Sequence, residues 1–351
     1  MQMRYLYAIS IGFTLAFILF IPACKDKSLL ENVADIDKYT QQQLDSLTLA
    51  SLKKVDDYPL YVMTFYGDYG FAEYLQTGIS TSTSANLSTQ QTSIRWACTC
   101  FAALGKKGFA VFGRNFDWVN RASLLLFTNP PGAYAAVSMV DLNYFGYNAN
   151  NLPDSPGNRE NLLGTPYLPF DGLNERGVAI GMMAIPQARA PYDPKKVTIG
   201  EIQVIRLVLD YAKNVNDAIS LIQKYNIEIQ TPPIHYLIAD SSGNSAVIEF
   251  IDGNMIIIRN DESWQVSTNF IIHGSGAPDN VSCWRYNTAY QALKEAGGYI
   301  THEVAMELLR KVSQSSTMWS TVYDINSREI HVAVGRKYDA IKKFELKINE
   351  E

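Results

Sequence analysis

Most of the chain reads as an α+β protein: two packed β-sheets with helices on the outside. Three observations predict it. Short apolar and aromatic runs recur on either side of turn residues, which is the pattern of β-hairpins. Three segments carry helical periodicity, two of them behind an N-cap residue. The 254 residues from Cys98 to Glu351 are within the size of one large single-core domain, and no internal repeat or second catalytic domain is visible.

The N-terminal stretch predicts a compartment. After Arg4 no charged residue occurs from Tyr5 to Cys24, as expected of a secretion signal or an uncleaved anchor. Ile21-Pro22-Ala23-Cys24 resembles a bacterial lipobox, in which a small residue precedes a cysteine that is lipidated as the signal is removed. The expectation is a signal peptide over residues 1–23 and lipid attachment at Cys24. Lys25 follows that cysteine, as in lipoproteins sent on to the outer membrane. The remainder would then face the periplasm or the outside of a bacterial envelope, held to the membrane by its lipid.

Residues 24–97 form a leader before the catalytic segment. Leu29 to Val55 spaces Val33, Ile36, Leu44, Leu47 and Leu52 at mostly helical intervals, and Tyr58 to Leu75 is rich in aromatics. That much apolar surface needs a partner. Ile79 to Ser93 is a Ser/Thr-rich polar stretch of the kind that proteases and self-cleavage exploit.

Cys98 opens the catalytic segment, 98–351. Thr99 to Leu104 and Phe109 to Phe112 are apolar strands around the turn Gly105-Lys106-Lys107-Gly108. The return strand carries Gly113-Arg114-Asn115-Phe116-Asp117-Trp118 back beside Cys98, so Arg114 and Asp117 are expected to flank the thiol. A free thiol has a pKa near ~8.5 and needs a base or a neighbouring positive charge to become a thiolate. Cleavage of the Ala97-Cys98 bond would supply an α-amine of pKa about 7.7–8.0, matched to that task. The guanidinium would favour the thiolate and bind a substrate oxygen, while the carboxylate would hold the amine.

The downstream elements follow in order. Helices are expected at Ile199 to Ala212, at Asp217 to Tyr225 behind Asn216, and at His302 to Val312 behind Thr301. Strands Ile234 to Ala239 and Ala246 to Ile251 flank the turn Asp240-Ser241-Ser242-Gly243-Asn244, and Met255 to Arg259 follows Asp252-Gly253-Asn254. Thr321 to Asp324 and Ile330 to Val334 make a further pair.

These residues resemble the choloylglycine hydrolase family of linear-amide hydrolases, which includes bile salt hydrolases, penicillin V acylases and, more distantly, acid ceramidase-like amidases. Cys98-Thr99 with the Gly-Arg-Asn-x-Asp-Trp block at its offset carries the resemblance. Phe170-Asp171-Gly172-Leu173-Asn174-Glu175-Arg176-Gly177-Val178 and the hairpin from His235 to Phe250 are similar to further family blocks. The resemblance implies the four-layer αββα sandwich of N-terminal nucleophile hydrolases. It also implies catalytic roles for Cys98, Arg114, Asp117, Asn269 of Ser267-Thr268-Asn269, and Arg285 of Ser282-Cys283-Trp284-Arg285-Tyr286. One position departs from the family: Ala184 stands where relatives place an oxyanion-binding Asn or a Tyr, so bile salts and penicillins are not assigned as substrates.

A formal charge of −5 without a basic cluster argues against nucleic acid as a partner. The four cysteines make no disulfide framework, although pairing of Cys283 with Cys98 or Cys100 is open, and no Cys/His spacing resembles a zinc site. No cofactor is expected. Cys100 is the rival nucleophile, and His273 would serve a papain-like pair. Asp171 and Asn174 read as turn-formers. The expected activity is hydrolysis of a linear amide of a small N-acyl compound; acyl transfer to an amine and a non-catalytic envelope lipoprotein are the alternatives.

Overall fold

A computed structural model describes residues 38–78, 97–118, 122–148, 150–230 and 232–348. The expected signal segment, Cys24 and the Ser/Thr-rich stretch up to Ser93 lie outside the described residues. In chain order the elements are α1 (Gln41–Ser51), β1 (Lys53–Asp56), β2 (Leu60–Phe65), α2 (Phe71–Thr77), β3 (Thr99–Lys106) and β4 (Phe109–Asp117). There follow β5 (Ser123–Thr128), β6 (Ala136–Asp141), β7 (Asp171–Asn174), β8 (Val178–Ala184), β9 (Thr198–Gly200), α3 (Gln203–Tyr211), α4 (Val215–Ile222) and β10 (Asn226–Glu228). The chain continues through β11 (Ile234–Asp240), β12 (Ser245–Ile251), β13 (Asn254–Arg259), β14 (Trp264–Ser267), α5 (Trp284–Glu295), α6 (His302–Lys311), β15 (Thr317–Asp324), β16 (Glu329–Val334) and β17 (Lys342–Glu345).

The large sheet runs β1-β2-β5-β6-β7-β8-β11-β12-β13 and the small one β14-β3-β4-β15-β16-β17. They face each other across a core that includes Phe112, Phe116, Phe170, Tyr236 and Trp319, where Phe116 stacks on Trp319 at 4.1 Å. Helices α3 and α4 lie on the large sheet, and α5 and α6 lie on the small one. This is the αββα layering that was expected.

Strand alternation decides which side chains reach the inter-sheet core. In β3, Cys100, Ala102 and Leu104 enter that core while Phe101 and Ala103 join the cluster beneath α5 and α6. In β4, Ala110, Phe112 and Phe116 face inward and Val111 faces the helices. Arg114 therefore points between the sheets, and Asn115 points to α6, where its Nδ2 donates to the Leu309 carbonyl at 2.8 Å.

Several predicted boundaries move for local reasons. The second helix begins two residues early because Asn214, in an extended conformation, caps it by accepting from Asp217 N at 2.9 Å. The first starts only at Gln203, since Thr198–Gly200 pairs in parallel with β10. Thr301 caps α6 as expected, and Arg310 and Lys311 close it with favourable charge. The turn reading of Asn174 holds: its Oδ1 accepts from Arg176 N and Val178 N, and its Nδ2 ties the turn to the carbonyls of Leu209 in α3 and of Ala212 just after it. Asp171 is instead a fully buried strand residue of β7.

The leader is part of the sandwich. Of the expected helical stretch, residues 29–37 lie outside the described residues, and helix α1, with its Thr40/Gln43 capping box, covers residues 41–51. The chain then turns into β1 and β2, and β2 pairs in parallel with β5 from Leu60↔Ser123 to Phe65↔Thr128. Leu60, Tyr61, Met63, Phe65 and Phe71 are buried, each contributing about 1.5–3 kcal/mol. Tyr58 packs over Gly335, where an added Cβ would lie 2.4 Å from the ring, and Asp56 accepts from Lys337 at 2.7 Å. The leader thus grips both sheets. We expect that cutting a protease site inserted within residues 79–96 leaves one native size-exclusion peak containing both fragments, which part only in denaturant; two separate peaks in native buffer would contradict this.

Candidate active site

Cys98 stands one residue before β3 and, by the alternation of that strand, turns into the inter-sheet core, where it is 4% exposed. Two side chains hold its peptide unit. Asn269 Oδ1 accepts from the Cys98 N–H, and Arg285 Nη1 donates to the Cys98 carbonyl. Arg285 also donates to Thr99 Oγ1 and to Asn269 Oδ1, both at 3.1 Å. It can do so because it sits in the first turn of α5, buried rather than on the helix surface.

Arg114 is fully buried beside the thiols of Cys98 and Cys100. Its Nε lies 3.6 Å from Asp171 Oδ2 across the sheets, and its Nη1 donates to the Asn115 carbonyl at 3.0 Å. Nε and Nη2 make no hydrogen bond. Burial works against the guanidinium charge, yet Cys98, Cys100 and Asp171 raise its pKa above the ordinary value. Burial likewise pushes the Asp171 carboxyl up while Arg114 pulls it down, and Trp319 Nε1 (3.0 Å) and Tyr323 Oη (2.5 Å) donate to it.

Cys100 is a poor rival. Burial pushes its thiol up to about 12, only partly offset by Arg114, and its Sγ packs against Gly181, where an added Cβ would come within 2.9 Å. The thiols of Cys98, Cys100 and Cys283 are free. His273 is exposed and contributes its backbone N–H to Glu249 at 3.0 Å, so it offers no partner for a papain-like pair.

Asp117 falls on the opposite face of β4 from Arg114, as an odd separation along a strand requires. Its carboxylate accepts from Thr317 Oγ1 and, at 3.4 Å, from Gln314 Nε2. Burial raises it to about 6, opposed by the Thr317 bond and by the charges of Arg285 and Arg114. It lies in the field of the site without touching the thiol.

The segment carrying Asn269 is fixed from behind. Asn269 Nδ2 donates to the Ala184 carbonyl at 2.7 Å, so this position contributes its backbone to the site. His235 places Nε2 2.8 Å from the Thr268 carbonyl and Nδ1 3.1 Å from Glu249 Oε1. Ser267 Oγ lies 3.1 Å from the same Nε2. Glu249 also accepts from Ile272 N and His273 N at 2.7 and 3.0 Å. Sequence reading found this hairpin as a block but not the brace it makes. Nor did it find Asp171, whose side-chain partners come from β4 and β15.

Replacing Asp171 with Ala strands Arg114 without its carboxylate in a dry core. The expected cost is about 3–5 kcal/mol in denaturant unfolding; a change below about 1 kcal/mol would show that the pair does not hold the site.

Residues 98–271 match the model of the family described as linear amide C-N hydrolases, choloylglycine hydrolase family. Among curated proteins, a penicillin V acylase of Pectobacterium atrosepticum is 24% identical over 197 residues, which are 52% of this chain and 51% of that protein. The match thus spans about half the length of that relative. Among solved structures, a penicillin V acylase from Agrobacterium tumefaciens superposes with a TM-score of 0.51 at 19% identity, covering 68% of this chain and 83% of its own. A variant of the conjugated bile acid hydrolase from Clostridium perfringens gives 0.51 at 14% identity, covering 71% and 92%. These likenesses establish the N-terminal nucleophile hydrolase fold. Over residues 98–271 the chain belongs to the linear amide C-N hydrolases of the choloylglycine hydrolase family.

Proposed function

We propose that the chain is an amidohydrolase that cleaves a linear, non-peptide amide of a small N-acyl compound through Cys98. The convergence of Asn269, Arg285 and Arg114 on this one cysteine carries the reading. The family supports the reaction class, and the penicillin and bile-acid substrates named for the relatives are not transferred.

In this reading the bond between Ala97 and Cys98 is cut and the freed α-amine becomes the base. It takes the thiol proton, Sγ attacks the amide carbon, and the oxygen becomes an oxyanion. Asn269 has one Nδ2–H on Ala184 and a second left to donate to that oxygen. The amine then protonates the leaving nitrogen, and water releases the acid from the thioester. Arg285 keeps the Cys98 carbonyl in place, Arg114 offers its unused donors to thiolate or substrate, and Asp117 balances the positive charge on the amine.

The compartment belongs to the same proposal. The lipobox-like Ile21-Pro22-Ala23-Cys24 supports an envelope lipoprotein anchored through Cys24. Because the leader is built into the large sheet, cleavage before Cys98 would leave the catalytic chain tethered.

Incubation with a panel of N-acyl amides should release acid and amine in equal amounts, with the rate reduced at least ~1,000-fold in Cys98→Ser and little changed in Cys100→Ser. Loss of activity in Cys100→Ser alone would overturn the assignment. Acyl capture by added amine in preference to water would make the enzyme a transferase.

Asp117 gives a pH signature. Its carboxyl titrates at about 6, so the anion that balances the amine is lost as pH falls through that value. We expect kcat/KM to fall on the acid side with a midpoint near 6, and Asp117→Asn to be slow and to lack that limb. A limb unchanged in the variant would assign it to another group.

A further inference from the structure

A second cluster of ligating side chains lies on the helix-covered face of the small sheet. Glu329 and His331 are two residues apart on β16 and so share a face; Ala333, next in the same row, packs in the cluster beneath α5 and α6. His302 opens α6 and stacks on His331, ring centroids 4.1 Å apart and planes 14° from parallel. One donor atom from each of His302, Glu329 and His331 lies within 4.8 Å of the other two.

An independent observation points to a ligand. His331 Nε2 is buried without a hydrogen-bond partner, on a side chain only 9% exposed. The Glu329 Oε2 atom approaches it at 3.4 Å without making that bond. A ring nitrogen shut away from water with no partner carries a desolvation cost that a bound cation would remove. The nearby charges do not fill the place. Lys343 Nζ takes the other Glu329 oxygen at 2.6 Å, and Glu303 Oε1 meets His302 Nε2 at 2.8 Å.

We propose that His302, Glu329 and His331 bind one divalent ion of the zinc class, clamping the start of α6 to β16. Two imidazoles and one carboxylate suit Zn²⁺, Co²⁺, Ni²⁺ or Cu²⁺ better than Mg²⁺ or Ca²⁺, and water completes the coordination. Bonds of about 2.0–2.2 Å require the donors to close to within roughly 3.5 Å of one another. The side chains of His302 and Glu329 are 30% and 28% exposed and have room to swing inward, while buried His331 is the fixed point. The site stands apart from the thiols and adds to the fold, since α6 also accepts Asn115, the neighbour of Arg114.

The test uses tag-free full chain. Zn²⁺ titration by calorimetry should give one ion per chain and a raised melting temperature. Co²⁺ should give visible d–d bands without thiolate-to-metal charge transfer. His302→Ala, at a partly exposed position that leaves folding intact, and His331→Ala should each weaken binding at least ~10–100-fold. Cys98→Ser should bind as the wild type does. No binding at millimolar Zn²⁺, affinity unchanged in His302→Ala, or a thiolate band that disappears in Cys98→Ser would each overturn the site.

Discussion

Burying the Arg114 guanidinium between two β-sheets costs several kcal/mol unless anions and polarisable groups surround it. That requirement organises the site. Asp171 comes from the opposite sheet to supply the counter-charge, and Trp319 and Tyr323 orient that carboxylate. The remaining faces of the guanidinium are left to two cysteine sulfurs. The pair therefore joins the two sheets of the sandwich and places a fixed positive charge beside Cys98.

Around that charge the fold separates two similar thiols. Cys100 is inside β3, sealed against Gly181 and pushed up to about 12 by burial. Cys98 stands where the strand begins, with its backbone held by Asn269 and Arg285. Asn269 is held in turn through Ala184 and through the His235 and Glu249 brace, which fixes Thr268, Ile272 and His273. The proposed chemistry thus rests on a strand end and a helix start of the small sheet and on a loop tied to the large one.

What the sequence made legible was local. The hairpin around Gly105 to Gly108, the strands around Asp240 to Asn244 and the Thr301 cap depend on near neighbours, and the structure has them close to where they were expected. The Arg114 and Asp117 offsets showed that both return to Cys98, but a separation of three along a strand puts them on opposite faces, which a hairpin drawn without its pleat does not show. Asp171 looked like a turn residue because a buried carboxylate and a solvated one are the same letter; only the approach of β4 and β15 tells them apart. The leader's two strands were hidden by aromatic residues that suit a helix face and a sheet face equally. His302 and His331 lie 29 positions apart, and only the packing of α6 on the small sheet brings them together.

The central claim is that Cys98 is both nucleophile and, through its own amine, base. Intact mass and N-terminal sequencing of purified wild-type protein beside Cys98→Ala test it directly. The account predicts a wild-type chain that begins at Cys98, with its leader as a separate fragment, and a variant that stays continuous across residues 97 and 98. A wild-type chain that remains continuous there while hydrolysing amides at full rate would contradict it.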